Sequence, residues 1–374
     1  MNKKIIILIA AIIVVIMSGC VKDLELKTDL NMEPGEINDG WEISTPSAEG
    51  FDEIALQETY NQFFSEEDYV TGISLLVVRN GKLVTEGYCR DINDRDIKRN
   101  IQSATKSFTS LVFGIARDMG YFDNLDESLY NIMPEEFDNN MSKRNITLRH
   151  LMTMNSGLEI NNEEFALELQ IKDQRNQLSY LLAKPLFSDP GTQYWYRDCD
   201  PQLLSGAILK KTGKILDEIA KEKLFGPMGI TDYFWEKNID GHNLAPSALY
   251  IRPRDMAKIG KLVLNKGLWE GKQLVSKQWI ELSTSNHVEF AIPGRELTNP
   301  PNYGFYWWVY EPHFSSLPEV RAFSAVGAGG QYIFIVPEKD LVIVMTSEPY
   351  VTGEFNLERA FFGLASKIIN SIIE

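Results

Sequence analysis

A serine and a lysine stand three residues apart in RNIQSATKSFTSLVFGIARDMG, residues 99–120. On a helix, positions i and i+3 share one face about 5–6 Å apart, so Ser103 and Lys106 could meet at the start of an otherwise apolar helix. A serine hydroxyl attacks a carbonyl poorly unless a neighbour takes its proton. A lysine can take that proton only if its pKa falls from about 10.4 toward neutrality, through burial or a nearby positive charge. The spacing is therefore compatible with a serine nucleophile that has a lysine as its proton partner.

The helix that carries the two residues could assist this chemistry. Its N-terminal dipole and the backbone N–H of Ser103 could stabilise an oxyanion, while Leu111, Val112 and Ile115 would bury the helix in the core. The alternative is structural, with Ser103 as an N-cap and Lys106 as a solvated helix residue. About one Ser-x-x-Lys match is expected by chance in a chain of this length, so these residues alone leave both interpretations open.

Four segments follow one another along the chain in a fixed order. They are SATK, ITLRHLMTMNSGL, PGTQYWYRDCDPQLLSGAILKKTG and GAGGQYIFIVPEKDLVIVMTS. Together they resemble the serine β-lactamase-related family, which includes class C β-lactamases, D-alanyl-D-alanine carboxypeptidases, esterases and 6-aminohexanoate-dimer hydrolases. The resemblance covers about residues 52–374. It implies a β-lactamase/transpeptidase-like α/β (α+β) fold, in which helices flank an antiparallel sheet and a mostly helical lobe is inserted.

The resemblance also implies roles for individual residues. Ser103 would be the acylated nucleophile, Lys106 its proton partner, and Tyr196 the tyrosine of the family's Tyr-x-Asn motif. A phenol beside a lysine ammonium has a lowered pKa and can move protons between nucleophile and leaving group. The backbone N–H of Ala328 would complete an oxyanion hole with that of Ser103.

The third motif of the family falls on a glycine-rich stretch. Gly327, Gly329 and Gly330 would let the strand edge approach a substrate closely. A plain hairpin turn is the alternative interpretation of these glycines.

Two departures from the family pattern bear on the substrate. Asp198 stands where the family has asparagine, and no cationic residue opens the third motif. An aspartate should hold an anionic β-lactam less well, since like charges repel, so β-lactamase activity is the less favoured prediction. Asp198 or Asp200 would instead suit a substrate that bears an amine. The resemblance then implies an esterase or amidase, or a hydrolase like the D-alanyl-D-alanine carboxypeptidases.

The flanking elements predict how the site is held. Residues 51–64 have the periodicity of an amphipathic helix, and Asn80-Gly81 joins two β-rich runs in the strongest short hairpin signal. Helical patterns fill the middle of the chain, including one from Ile146 that stops at Gly157. Strand character returns in YGFYWWVY, QYIFIVP and DLVIVMTS, and a helix over 356–373 closes the chain. This order predicts one sheet built from both chain ends.

The N-terminus predicts export. Two lysines followed by an apolar run predict a secretory signal over residues 1–19. MSGC, at residues 17–20, resembles the bacterial lipobox, which implies a lipoprotein anchored through a lipidated Cys20. Residues 20–50 are expected to be a flexible tether, and 51–374 the hydrolase domain, with its helical lobe at about 120–300. The protein is thus placed in the bacterial cell envelope, on the outer face of the membrane. An uncleaved single-pass anchor is the alternative.

Composition narrows the function further. The chain has 374 residues and a formal net charge of −15 without a basic stripe, which argues against nucleic acid as a partner. Its four histidines are scattered, so no metal site is expected, and the proposed chemistry requires no cofactor. Cys89 and Cys199 could pair or stay reduced. The prediction is a serine hydrolase acting on a small ester, amide or cell-wall peptide, and the alternative is a catalytically silent penicillin-binding-like protein of the envelope.

Overall fold

The sheet at the centre of the fold is built from both ends of the chain. The computed structural model describes residues 31–65, 72–89, 92–138, 141–167, 174–288, 301–312, 314, 317–348 and 357–373. Within them, seven antiparallel strands lie in the order β2-β1-β12-β11-β10-β9-β8, which confirms the prediction. These strands are β1 (Gly72–Arg79), β2 (Lys82–Tyr88), β8 (Asn302–Tyr303), β9 (Trp308–Tyr310), β10 (Ala322–Gly327), β11 (Gln331–Val336) and β12 (Leu341–Ser347).

The turn between β1 and β2 has the geometry that its sequence predicts. Asn80 and Gly81 have φ angles of 52° and 75°, the left-handed values that a two-residue type I′ hairpin needs at both positions.

Short strands and helices complete the described part of the chain. The short strands are β3 (Arg99–Asn100), β4 (Phe234–Trp235), β5 (Leu249–Ile251), β6 (Leu268–Trp269) and β7 (Lys272–Gln273). The helices are α1 (Glu53–Ser65), α2 (Thr105–Asp118), α3 (Leu129–Ile132), α4 (Leu148–Met152), α5 (Asn162–Phe165), α6 (Gln177–Ala183), α7 (Cys199–Thr212), α8 (Leu216–Ala220), α9 (Pro253–Leu264), α10 (Lys277–Ser283) and α11 (Leu357–Asn370).

Both faces of the sheet are buried, and the strands divide their side chains between them. On β12, Val342 and Val344 join the core shared with α2 and α9, whereas Ile343 and Met345 join the core shared with α1 and α11. Successive strand residues point to opposite faces, so a continuous apolar run is what a sheet covered on both sides requires. The result is a layered fold in which α2 lies against the sheet.

The α2 helix is almost completely enclosed. Every residue from Thr105 to Ala116 is buried, including Leu111, Val112 and Ile115 as predicted. Lys106 is only 1% exposed, so the interpretation of this residue as a solvated helix lysine is wrong. A buried ammonium is stable only with polar partners, and Lys106 has partners on Ser103, Asp198 and Pro246.

Two element boundaries differ from the sequence prediction. The helix capped by Thr147 ends at Met152 rather than Gly157, because Met154 adopts a left-handed φ of 57° and its carbonyl accepts the N–H of Trp195. The predicted strand YGFYWWVY is a tight hairpin of β8 and β9, since Tyr306 has a φ of 66°. Its large side chains are nevertheless core residues, as the sequence favours.

The predicted tether is shorter than expected. From Met32, whose carbonyl accepts the N–H of Glu86, the chain packs along β2. Arg254 explains this docking: it binds Glu86 through Nε and Nη2 at 2.7 and 2.6 Å, and it reaches Asp39 at 3.0 Å and the Gly35 carbonyl at 2.7 Å. A buried guanidinium requires such partners, and the N-terminal segment supplies two of them.

Two other predictions concern the N-terminus and the cysteines. The signal over residues 1–19 and Cys20 lie outside the described residues. Cys89 and Cys199 are not joined by a disulfide, because they pack in different hydrophobic clusters. In the described part of the chain, no helix has the length and apolar character to cross a bilayer.

Candidate active site

The segment before α2 fixes Ser103 in space. Asn100, on β3, accepts the N–H of Gln102 at 2.8 Å through its side-chain oxygen, and Ile101 donates its N–H to the Leu249 carbonyl at 3.0 Å. Gln102 has a φ of 51°, an uncommon conformation for a residue other than glycine that is concentrated at functional sites. This sharp turn places Ser103 half-buried at the mouth of α2, where its hydroxyl can still be reached.

Three oxygen atoms surround the amine of Lys106. Its Nζ lies 2.9 Å from Ser103 Oγ, 3.0 Å from the Pro246 carbonyl oxygen and 2.7 Å from Asp198 Oδ1. The first contact is the one that the Ser-x-x-Lys spacing predicts. The other two come from distant parts of the chain.

Hydrogen bonds on either side of Lys106 hold α2 in register with those distant segments. Ser107 donates to the Tyr306 carbonyl at 2.6 Å, and Thr109 donates to the Ala245 carbonyl at 2.8 Å. These bonds satisfy two hydroxyl groups in the buried part of α2. They also keep the Pro246 carbonyl beside the lysine.

The protonation of Lys106 differs from the sequence expectation. Burial by itself lowers the pKa of Lys106, but the carboxylate of Asp198 and the hydroxyl of Tyr196 more than offset this effect, so the pKa lies above its ordinary value. A buried carboxylate beside an amine stabilises the ammonium. The resting site therefore holds a Lys106–Asp198 ion pair, and the expected fall of the lysine pKa toward neutrality is wrong.

Tyr196 lies against the same amine, as the resemblance implies. Nζ of Lys106 is 4.8 Å from the centroid of the Tyr196 ring. The ring is stacked on Trp308, with centroids 5.8 Å apart, and meets the edge of Tyr303. These contacts restrict the orientation of the ring, so Ser103, Lys106 and Tyr196 form one cluster.

Arg197 anchors the segment that carries Tyr196. It is fully buried, donates through Nε to the Trp195 carbonyl at 2.9 Å and bonds the Leu158 carbonyl. Its guanidinium also lies over the rings of Trp195 and Phe187. Tyr196 is thus attached to a rigid support rather than to a mobile loop.

The glycine-rich stretch lies beside Ser103. At Gly327, a Cβ would come within 2.0 Å of the Ile101 carbonyl oxygen, so only glycine permits β10 to approach the serine segment this closely. Residues 328–330 then form the turn from β10 to β11, in which Gly329 and Gly330 have φ angles of 75° and 91°. Both interpretations of the glycines hold in part: the stretch is a hairpin turn, and it packs next to the candidate nucleophile.

The two aspartates after Tyr196 have different surroundings. Asp198 contacts Lys106, and the lysine ammonium neutralises the carboxylate charge that would otherwise attract a cationic substrate. Asp200 is fully buried and accepts a hydrogen bond from Ser156 Oγ at 2.6 Å, and burial raises its pKa. Neither carboxylate is therefore disposed to bind an amine of a substrate.

Several partners at the site escape sequence reasoning. The Pro246 carbonyl leaves no signal, because any residue type has a backbone oxygen. The left-handed Gln102 is equally silent in the sequence, since glycine or asparagine is the usual marker of that conformation. Among the described residues, no group of three or more His, Cys, Asp or Glu side chains could hold a metal ion.

Comparisons with known proteins identify the family and the fold. The Beta-lactamase family profile matches residues 60–362. The 6-aminohexanoate-dimer hydrolase of Paenarthrobacter ureafaciens is 22% identical, over 73% of this chain and 72% of the hydrolase. A family VIII carboxylesterase structure has a TM-score of 0.68 at 17% identity, covering 85% of this chain and 97% of its own. A class C beta-lactamase structure has a TM-score of 0.66 at 15% identity, covering 91% and 99%. The chain belongs to the Beta-lactamase family.

Proposed function

We propose that this protein is an exported, lipid-anchored serine hydrolase that cleaves an ester or amide bond through an acyl-enzyme on Ser103. The contact between Ser103 Oγ and Lys106 Nζ at 2.9 Å carries this proposal. A serine whose hydroxyl is hydrogen-bonded to a buried proton carrier is the standard arrangement of an activated nucleophile. The names of the relatives, a hydrolase, a carboxylesterase and a beta-lactamase, support the same class of reaction.

The reaction would proceed in two displacements. The reactive form of the enzyme is the one in which the Lys106–Tyr196 pair has lost one proton. Ser103 Oγ then bonds to the carbonyl carbon, and its proton passes to this pair. The N–H groups of Ser103 and Ala328 would stabilise the oxyanion. The bond to the leaving group then breaks, and the leaving group takes the proton back from the pair. Water repeats these steps on the acyl-enzyme and releases the acid.

Uncharged esters and linear amides are the proposed substrates. No cationic residue opens the third motif, to which residues 327–330 stand nearest, whereas the sequence resemblance implies a cation there in relatives that recognise penicillin. An anionic β-lactam would gain no ion pair from these positions. We therefore expect p-nitrophenyl esters to be hydrolysed faster than nitrocefin.

Labelling with a fluorophosphonate tests the proposal. The wild-type protein should acquire one adduct on Ser103, and Ser103→Ala should lose the adduct and at least about 10⁴-fold of the esterase rate. A protein that stays unlabelled but binds peptidoglycan would support the silent envelope protein instead. Radiolabelled palmitate on the wild-type precursor, absent from Cys20→Ala, would test the lipid anchor separately.

A further inference from the structure

Asp198 is held beside Lys106 by contacts of both its backbone and its side chain. It immediately precedes α7, and its N–H donates to the side-chain oxygen of Asn162 at 2.8 Å. Its side chain is 17% exposed, and Oδ1 lies 2.7 Å from Lys106 Nζ. The backbone N–H groups at the start of this 14-residue helix also favour a negative charge there.

The contacts of Lys106 keep its amine beside Ser103. The Pro246 carbonyl accepts a hydrogen bond from Nζ at 3.0 Å, and the Asp198 carboxylate forms an ion pair with Nζ at 2.7 Å. Ser103 Oγ can either accept or donate. A charged amine can donate to Ser103, and a neutral amine has a lone pair that can accept the serine proton. The carbonyl and the carboxylate thus hold the lysine within reach of the serine proton.

The charge of Asp198 opposes loss of a proton from the cluster. Whether Lys106 or Tyr196 gives up that proton, the cluster becomes more negative within reach of a carboxylate. Burial raises the pKa of the other ionisable groups that interact with Tyr196 or Asp198, which are Tyr194, Cys199, Tyr303 and Tyr306. Burial therefore favours the neutral form of each.

Two further ionisable groups, Arg197 and Asp200, flank Asp198 in the sequence. Arg197 lowers the pKa of Asp200 against the larger effect of burial, whereas Asp198 is in direct contact with the Lys106 amine at 2.7 Å. Asp198 is therefore the charged group that acts most directly on Lys106.

We propose that Asp198 is a positioning residue that aims the Lys106 amine at Ser103 and confines efficient acylation to alkaline pH. This inference rests on the proposed function, because it concerns proton transfer from the same serine. It predicts an alkaline pH dependence that the asparagine of the family motif would not confer. Asparagine keeps an oxygen acceptor of the same size but has no charge.

Asp198→Asn tests the proposal through a pH profile. For p-nitrophenyl butyrate between pH 6 and 10.5, kcat/KM of the wild type should rise throughout the alkaline range. In Asp198→Asn the rising limb should move down by about one pH unit or more, so that the rate at pH 7 increases about tenfold, with KM changed less than about twofold. The matched control is Asp138→Asn, which removes the charge of the carboxylate that pairs with another buried lysine, Lys143. This variant should leave the pH profile of kcat/KM unchanged.

Failures of the two proposals can be told apart. If the wild type is neither labelled on Ser103 nor active on any ester, the proposed function fails. If the wild type is active but both profiles coincide, or the wild-type limb already lies near pH 7, the role of Asp198 is overturned.

A direct measurement in the wild type covers the case of a variant that does not fold. The ¹³Cε resonance of Lys106, assigned by its loss in Lys106→Arg, should keep the shift of a charged lysine up to pH 10. Titration of this resonance below pH 8 would contradict the proposal, whatever the variant does.

Discussion

Two buried lysines, Lys106 and Lys143, share an ion pair and a backbone carbonyl but differ in their other neighbours. Each is 1% exposed. Lys106 lies 2.7 Å from Asp198 and 3.0 Å from a backbone carbonyl, and Lys143 lies 2.8 Å from Asp138 and 2.6 Å from the Leu182 carbonyl. Lys106 also contacts the hydroxyl of Ser103 and the ring of Tyr196. Burial and an ion pair are therefore common to both regions, and the serine and the tyrosine distinguish the candidate active site.

The two regions also differ in what the lysine holds together. Lys143 connects the turn over Met141–Asn145 to the end of α6, a local link within the helical lobe. Lys106 connects the start of α2 to the Pro246 loop and to the residue before α7. A buried ion pair at the first place stabilises packing, whereas at the second place it brings three segments of chain around one hydroxyl.

Replacing the two lysines in turn should separate these roles most strongly. Lys106→Met removes the proton partner of Ser103, so kcat/KM for p-nitrophenyl butyrate should fall by about 10⁴-fold, the upper range for acid–base groups. Lys143→Met should leave kcat/KM of the folded protein unchanged. It should instead lower the free energy of unfolding by about 1–3 kcal/mol, because the Leu182 carbonyl loses its donor.

Urea unfolding of both variants, followed by circular dichroism, supplies the second measurement. Equal losses of activity in the two lysine variants would show that Lys106 has no catalytic role that Lys143 lacks.

Tyr196→Phe should give the next largest effect. Phenylalanine keeps the contact with Trp308 but cannot carry a proton, so kcat should fall by about 10²–10³-fold while KM stays the same. Tyr180→Phe is the matched control, since the Tyr180 hydroxyl accepts a hydrogen bond from Lys184 at 2.9 Å outside the candidate active site. Steady-state kinetics in which Tyr196→Phe keeps the wild-type kcat would exclude the phenol from proton transfer.

Gly327→Ala should have the smallest of these effects on catalysis. The new Cβ would meet the Ile101 carbonyl oxygen, so β10 must move away from the serine segment and the oxyanion site widens. We expect kcat to fall by about 10²-fold, the effect of losing one oxyanion donor. Gly363→Ala, where a Cβ meets no atom within 4 Å, should be silent. Unchanged ester hydrolysis by Gly327→Ala would remove this strand from the oxyanion site.

Local signals in the sequence predict much of this molecule. The Asn80-Gly81 hairpin, the buried α2 helix and the proximity of Ser103 and Lys106 all follow from residues close together in the chain. The sheet order follows from strand-like runs at both ends and the resemblance to a family.

What the sequence did not predict depends on distant contacts. Asp198 reverses the expected effect of burial on Lys106, because its carboxylate comes from a separate segment. Arg254 docks residues that look like a tether, since its partners lie near the other end of the chain. The aromatic run at residues 303–310 bends at Tyr306, a conformation that its apolar composition does not indicate.

The most direct test of an acyl-enzyme on Ser103 is mass spectrometry of the protein quenched in acid during turnover of p-nitrophenyl butyrate. We expect one butyryl group on the peptide that contains Ser103. This group should be absent from Ser103→Ala and should form more slowly in Lys106→Met. Turnover without any butyryl group on that peptide, or with the group on another residue, would contradict this expectation.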